Sequence, residues 1–211
     1  MPGTHDLALF VLSGLLLNLT PGPDTLYIVG RSTTQGGRAG AVAALGIGAG
    51  IFVHIAAAAV GLSALLAASA TAYTVIKIAG AIYLVYVGIS LLRTPRPGTR
   101  AAATTPQPVR LRTIFSQGFL TNVLNPKVAL FFLAFLPQFV DPDAPSKALA
   151  FLLLGLVFNL NGTLWNLFVA WSSARIEHGL SRSRAFSTWF NRCVGALFIA
   201  LGVRLAFSRA D

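Results

Sequence analysis

Acidic residues are scarce in this chain. Six of its 211 residues are Asp or Glu, and charged residues of both signs make up 10%, against about 25% in an ordinary soluble domain. A soluble core of this size could not hide the 55% of residues that are hydrophobic. There is a single cysteine, Cys193, which excludes an intramolecular disulfide and a CxxC redox pair. The three histidines, His5, His54 and His178, are scattered, so neither a metal site nor a resident cofactor is expected. These shortages, with a mean hydropathy of +0.72, exclude soluble enzymes, DNA-binding domains and secreted disulfide scaffolds. What remains is an integral membrane protein. The net charge of +10 implies no nucleic-acid partner, because most Arg and Lys sit in short stretches between apolar runs, where topology accounts for them.

A helical span needs about 20 apolar residues. Six stretches qualify: Leu7–Gly30, Gly40–Ala67, Ala72–Leu92, Ile114–Val140, Lys147–Ala174 and Trp189–Phe207. The first lacks the basic start and A-x-A site of a signal peptide and reads as a retained span. Its part up to Thr20 is too short to cross alone, so the helix must resume after Pro23. The first loop carries Arg31 and Arg38, and the second has no charge. The third carries Arg93, Arg96, Arg100, Arg110 and Arg112, the fourth Asp141, Asp143 and Lys147, and the fifth Arg175, Glu177, Arg182 and Arg184. Basic loops stay in the cytoplasm, so both termini are expected outside, with Arg204 and Arg209 discordant.

Residues 94–112, rich in Pro, Thr and Arg, form a cytoplasmic linker between a first three-helix repeat, 1–93, and a second, 113–211. The halves resemble each other. Gly14-x-x-x-Asn18 leads to Thr20-Pro21, and Gly118-x-x-x-Asn122 leads to Asn125-Pro126. Lys77-Ile-Ala-Gly80-Ala81 in the third span matches Arg192-Cys-Val-Gly195-Ala196 in the sixth. Three spans per half force the second half to run upside down, an inverted-topology repeat as in secondary transporters. The expected fold is all-α, with six membrane spans.

The chemistry gathers at the two proline sites. Asn18-Leu-Thr20-Pro21-Gly22-Pro23-Asp24 must break its helix, and a break inside lipid is tolerated only against protein or a cavity. It is either a substrate site on unwound backbone or a packing kink, and Asn122, Asn125 and Pro126 mark the matching position of the other half. Asp24 is the one acidic residue in any span. It can hold an ammonium or carry a proton, while Lys127 can neutralise it or hold a carboxylate. An α-amino acid carries both charges. His54 shares a helical stripe with Gly46 and Gly50, which let another helix approach closely and also permit a homodimer. It is an interface histidine or a proton carrier. Asn159, Gly162, Thr163 and Asn166 fall on one face of the fifth span.

Thr20-Pro21-Gly22-Pro23-Asp24 resembles the hallmark of the LysE/RhtB amino-acid exporters. So do Gly36-Gly37-Arg38-Ala39-Gly40, the run from Gly80 through Tyr83 and Tyr86 to Gly88, and Asn125-Pro126-Lys127. The resemblance covers nearly the whole chain in order. It implies export of amino acids or their derivatives across the inner membrane, driven by the proton-motive force, with Asp24 and both breaks at the central site. The wider superfamily includes metal exporters and thiol-electron carriers, against which the few histidines and the lone cysteine argue. The absence of a second carboxylate in the spans favours neutral substrates such as threonine or homoserine over lysine or arginine. The alternatives are an exporter of another small cation or metal, which could use a single carboxylate, and a channel. An intramembrane enzyme lacks a carboxylate dyad or a Ser/His/Asp set.

Overall fold

The computed structural model describes residues 3–62 and 109–175, together with isolated positions between 64 and 92 and between 196 and 203. By contact the chain divides into two units, Met1–Ala64 with Thr105–His178, and Leu65–Thr104 with Gly179–Asp211. The six helices below all lie in the first unit. They are α1 (Leu7–Leu19), α2 (Pro23–Gln35), α3 (Gly37–Ala56), α4 (Leu111–Val123), α5 (Pro126–Leu130) and α6 (Lys147–Arg175). A π-helical stretch, Ala57–Leu62, continues α3, and π-helical and 3-10 turns carry α5 on to Phe139. There is no strand among the described residues beyond an isolated bridge between Thr4 and Val140. The third and sixth expected spans, with Gly80, Gly88, Gly195, Lys77 and Arg192, lie almost wholly outside the described residues, as does the linker up to residue 108.

Among the described residues two helices, Gly37–Leu62 and Lys147–Arg175, are long and apolar enough to cross a membrane. Two bent pairs, α1 with α2 at 54° and α4 with Pro126–Phe139 at 44°, raise the number to four if each pair is one span. With 13 residues, α1 is about 20 Å long, well short of the ~30 Å hydrocarbon core. It stops where Thr20, ahead of a proline, turns extended at ψ 119°, as that position demands. The chain re-enters a helix at Pro23, in the first turn of α2, where a missing N–H costs nothing.

Two expected boundaries need correction. Arg31 and Arg38 are not loop residues: α2 runs on to Gln35 and α3 starts at Gly37. The first loop shrinks to Gly36, whose φ of 84° suits a residue without a Cβ. Likewise α4 begins at Leu111, so Leu111 and Arg112 belong to a helix rather than to the linker.

Polarity is turned inside out relative to a soluble bundle. On α6, Leu152, Leu156, Leu160, Leu164, Phe168 and Trp171 form an exposed stripe at helical spacing. The opposite face buries Asn159, Gly162, Asn166 and Ser173. An apolar stripe of this length suits lipid and would be a liability in water. Glycine sets the closest helix contacts. A Cβ on Gly46 would collide with the Phe115 carbonyl of α4, and one on Gly50 would stand 2.8 Å from Asn122 Cβ. The glycine face that the sequence also offered to a dimer is thus occupied by α4 of the same chain. The two Gly-x-x-x-Asn segments pack in parallel fashion. Gly118 lies against the Ala43 carbonyl of α3, with Asn122 over Gly50, while Gly14 lies against Phe158 of α6, with Asn18 over Gly162.

Candidate functional site

The two breaks meet around one cavity. Leu17, Asn18, Gly22, Asp24 and Thr25 line it from the first break, and Asn122, Asn125, Lys127 and Val128 from the second. Ile47 and Ile51 of α3 and Phe158 and Asn166 of α6 complete the wall. Its volume is about 20 Å³, room for a water molecule or two.

Asp24 stands in the first turn of α2, where the helix dipole favours a negative charge. Asn122 Nδ2 donates to Asp24 Oδ2 at 2.8 Å. Asn122 is fully buried and anchored through its backbone, whose carbonyl accepts from His54 Nε2 at 3.0 Å. With its amide nitrogen turned to Asp24, its Oδ1 makes no hydrogen bond, and neither does Asp24 Oδ1 or Asn18 Nδ2. Three of the four buried side-chain polar atoms left without a partner among the described residues thus belong to residues lining this one cavity. Each such atom costs about 1–3 kcal/mol when it stays unpaired, so the concentration of orphaned groups makes this cavity the candidate site for a polar molecule.

Lys127 takes a role that the sequence did not predict. No ion pair of 4 Å or less joins it to Asp24. Its Nζ donates instead to the carbonyls of Leu17 and Thr20, at 2.8 Å each. These oxygens belong to the severed end of α1, where carbonyls lose their helical donors. The Thr20 hydroxyl donates to the Leu16 carbonyl at 2.9 Å. Asn125 caps α5, its Oδ1 accepting from the Lys127 N–H at 3.0 Å, which fixes where the lysine starts.

The structure therefore brings Asn18, Gly22, Asp24, Asn122, Asn125 and Lys127 to one cavity, with Thr20 reaching it through its carbonyl. Pro21, Pro23 and Pro126 shape the backbone and do not line it. His54 touches the site only through the Asn122 backbone. Thr25, the aliphatic wall and Phe158 were not anticipated. Phe158 stacks on Phe131 at 4.7 Å, and nothing in an apolar run distinguishes such a phenylalanine from its lipid-facing neighbours. Also missed was a polar seam between α2 and α4. Tyr27 and Arg31 both donate to Gln117 Oε1, at 3.0 and 2.8 Å, and Gln35 donates to the Val109 carbonyl at 3.0 Å. The signal was present, because Asp24, Tyr27, Arg31 and Gln35 recur at one-face spacing.

Comparison with known proteins places these features in a family. The chain is 32% identical over 207 residues to an uncharacterized membrane protein of Pseudomonas aeruginosa, covering 97% of this chain and 96% of the relative. It is 26% identical over 197 residues to the leucine efflux protein of Salmonella typhimurium, covering 93% and 92%. It is 27% identical over 211 residues to an uncharacterized membrane protein of Bacillus subtilis, covering 97% and 100%. No solved structure matches. The profile of the LysE type translocators matches residues 15–209, taking in both breaks and all the cavity residues, and the chain belongs to that family of membrane translocators, not to an enzyme family.

Proposed function

We propose that this protein is a secondary exporter of neutral amino acids or their derivatives from the cytoplasm, working by proton antiport across the inner membrane. The observation that carries the reading is the set of unpaired polar atoms around one cavity. Asp24 Oδ1 and Asn122 Oδ1 are two acceptors for an ammonium group, and Asn18 Nδ2 is a donor for a carboxylate. Leu17, Ile47, Ile51 and Phe158 offer an apolar wall to the rest of the molecule, and among the described residues no second carboxylate lines the cavity for a cationic side chain. The relative named for leucine efflux fits a substrate of this kind.

In this mechanism the cavity, too small for an amino acid as it stands, opens to the cytoplasm and ionised Asp24 takes the substrate ammonium. The Asn122 hydrogen bond holds the carboxylate in place, and charge-assisted contacts make the pairing strong. After release outside, Asp24 binds a proton, returns neutral, and yields the proton to the more alkaline cytoplasm. Ammonium and proton compete for one carboxylate, which couples the two fluxes. The paired bends and the parallel packing of the Gly-x-x-x-Asn segments support an architecture of six spans in two inverted repeats rocking about the cavity. The alternation of basic loops supports termini on the outside.

Uptake of labelled leucine into inverted vesicles with an acidic lumen tests this reading. Asp24→Asn keeps the shape but cannot ionise, so uptake is expected to fall to that of empty vesicles. Normal uptake by Asp24→Asn, with normal pH dependence, overturns the mechanism.

A further inference from the structure

The charge on Lys127 is the least explained feature of the site. It reaches no carboxylate, yet it sits in a region from which ions are costly to keep. What it touches is a pair of backbone carbonyls, Leu17 and Thr20, at the unwound end of a broken helix. In transporters built on discontinuous helices, unwound carbonyls and half-helix C-termini are where a coupling cation is coordinated. Here the position is filled by an ammonium delivered from the other break. Gly22 lies beside it, where an added Cβ would stand 3.6 Å from Nζ, in ordinary van der Waals contact.

We propose that the Leu17 and Thr20 carbonyls form a monovalent-cation site and that Lys127 is its resident, tethered cation. The inference goes beyond the transported substrate, because it concerns the ion that holds the break in shape. Several observations support it together. The two contacts are equal at 2.8 Å, so the ammonium bridges the carbonyls rather than capping one. Asn125 fixes the root of the lysine through its backbone N–H. Asp24 lines the same cavity without pairing with Lys127, so the two opposite charges balance across the site while the carboxylate keeps an oxygen free. The consequence is that the native protein needs no alkali cation, while removal of the side chain leaves a vacant site that a free cation can fill.

The test uses the full-length protein in detergent, with melting followed by tryptophan fluorescence. Lys127→Ala removes a propylammonium equivalent, so propylammonium chloride and sodium chloride are the probes. Tetramethylammonium chloride controls for ionic strength, and n-propanol is the neutral isostere. Lys127→Ala is expected to melt below the wild type and to be raised by propylammonium or Na⁺ by about 3 °C, with the wild type unmoved. If neither cation raises the variant more than tetramethylammonium does, or if propanol does as well, Lys127 is an ordinary helix cap and the proposal fails. Should the variant not purify, reconstituted wild type decides: equal transport in Na⁺, K⁺ and N-methylglucamine supports a built-in cation, and a Na⁺ requirement overturns it. The melting readout does not depend on what is transported, so failure of this inference and failure of the amino-acid reading are distinguishable.

Discussion

The two proline breaks look alike in sequence and are finished differently. At the second, α4 ends at Val123 and α5 begins at Pro126, with Asn125 between them capping the new helix with its own side chain. At the first, three residues separate α1 from α2, the bend is 54° against 44°, and the Gly22 cap position supplies no side-chain hydrogen bond. The second break is satisfied locally. The first depends on the second: Asn122 holds Asp24, and Lys127 holds the carbonyls of Leu17 and Thr20. Two similar interruptions thus become a scaffold and a break that is held from across the cavity. The difference lies in whether a polar side chain stands at the cap.

Removing the breaks one at a time should expose that asymmetry most strongly. Pro21→Ala with Pro23→Ala restores two backbone donors and the option of a continuous helix, so vesicle uptake is expected to vanish while the protein stays in the membrane. Pro126→Ala leaves a helix start that Asn125 still caps, and uptake is expected to fall by less than about tenfold. Equal transport by the two variants would mean that the breaks are interchangeable. A smaller effect is expected from Asn122→Ala. Losing a hydrogen bond to a charged group costs about 1.5–3 kcal/mol, which should appear as a weaker apparent affinity, measured as KM. Smallest is Asn125→Ala, which removes one helix cap worth about 1 kcal/mol. The melting temperature should drop by about 2–4 °C and recover in Asn125→Ser, which still offers a neutral acceptor at the cap. A larger loss there would show that Asn125 itself, and not only Asn122 and Lys127, supports the first break.

Much of this organisation was legible in the residues. The proline sites, the resumption of the helix after Pro23, the buried face of α6 and the fifth span, expected at Lys147–Ala174 and observed at Lys147–Arg175, all follow from period and backbone chemistry. Arg31 was misplaced because a basic residue after an apolar run reads as loop, although a helix leaving the membrane can carry it. The apolar cavity wall was hidden because lipid and cavity accept the same side chains, so hydropathy has no contrast there.

The sequence by itself determined that the chain enters a membrane, that its helices break at Pro21–Pro23 and at Pro126, and that a single carboxylate stands beside the first break. Those properties are covalent or local: a missing N–H acts on its own turn, and apolar content acts on every residue. Only the tertiary structure decided the partners. Asp24 pairs with Asn122, 98 positions away, and Lys127 spans 110 positions to the Leu17 carbonyl. Opposite charge offered Lys127 two partners, Asp24 or a substrate carboxylate. Packing instead set Asn122 against Gly50, within reach of Asp24, and faced Lys127 with two carbonyls at the severed end of α1, of which Leu17 keeps only the 3.2 Å bond from the Thr20 N–H. Which acceptor a buried cation takes depends on the distances that packing leaves, and those are fixed only when the helices meet.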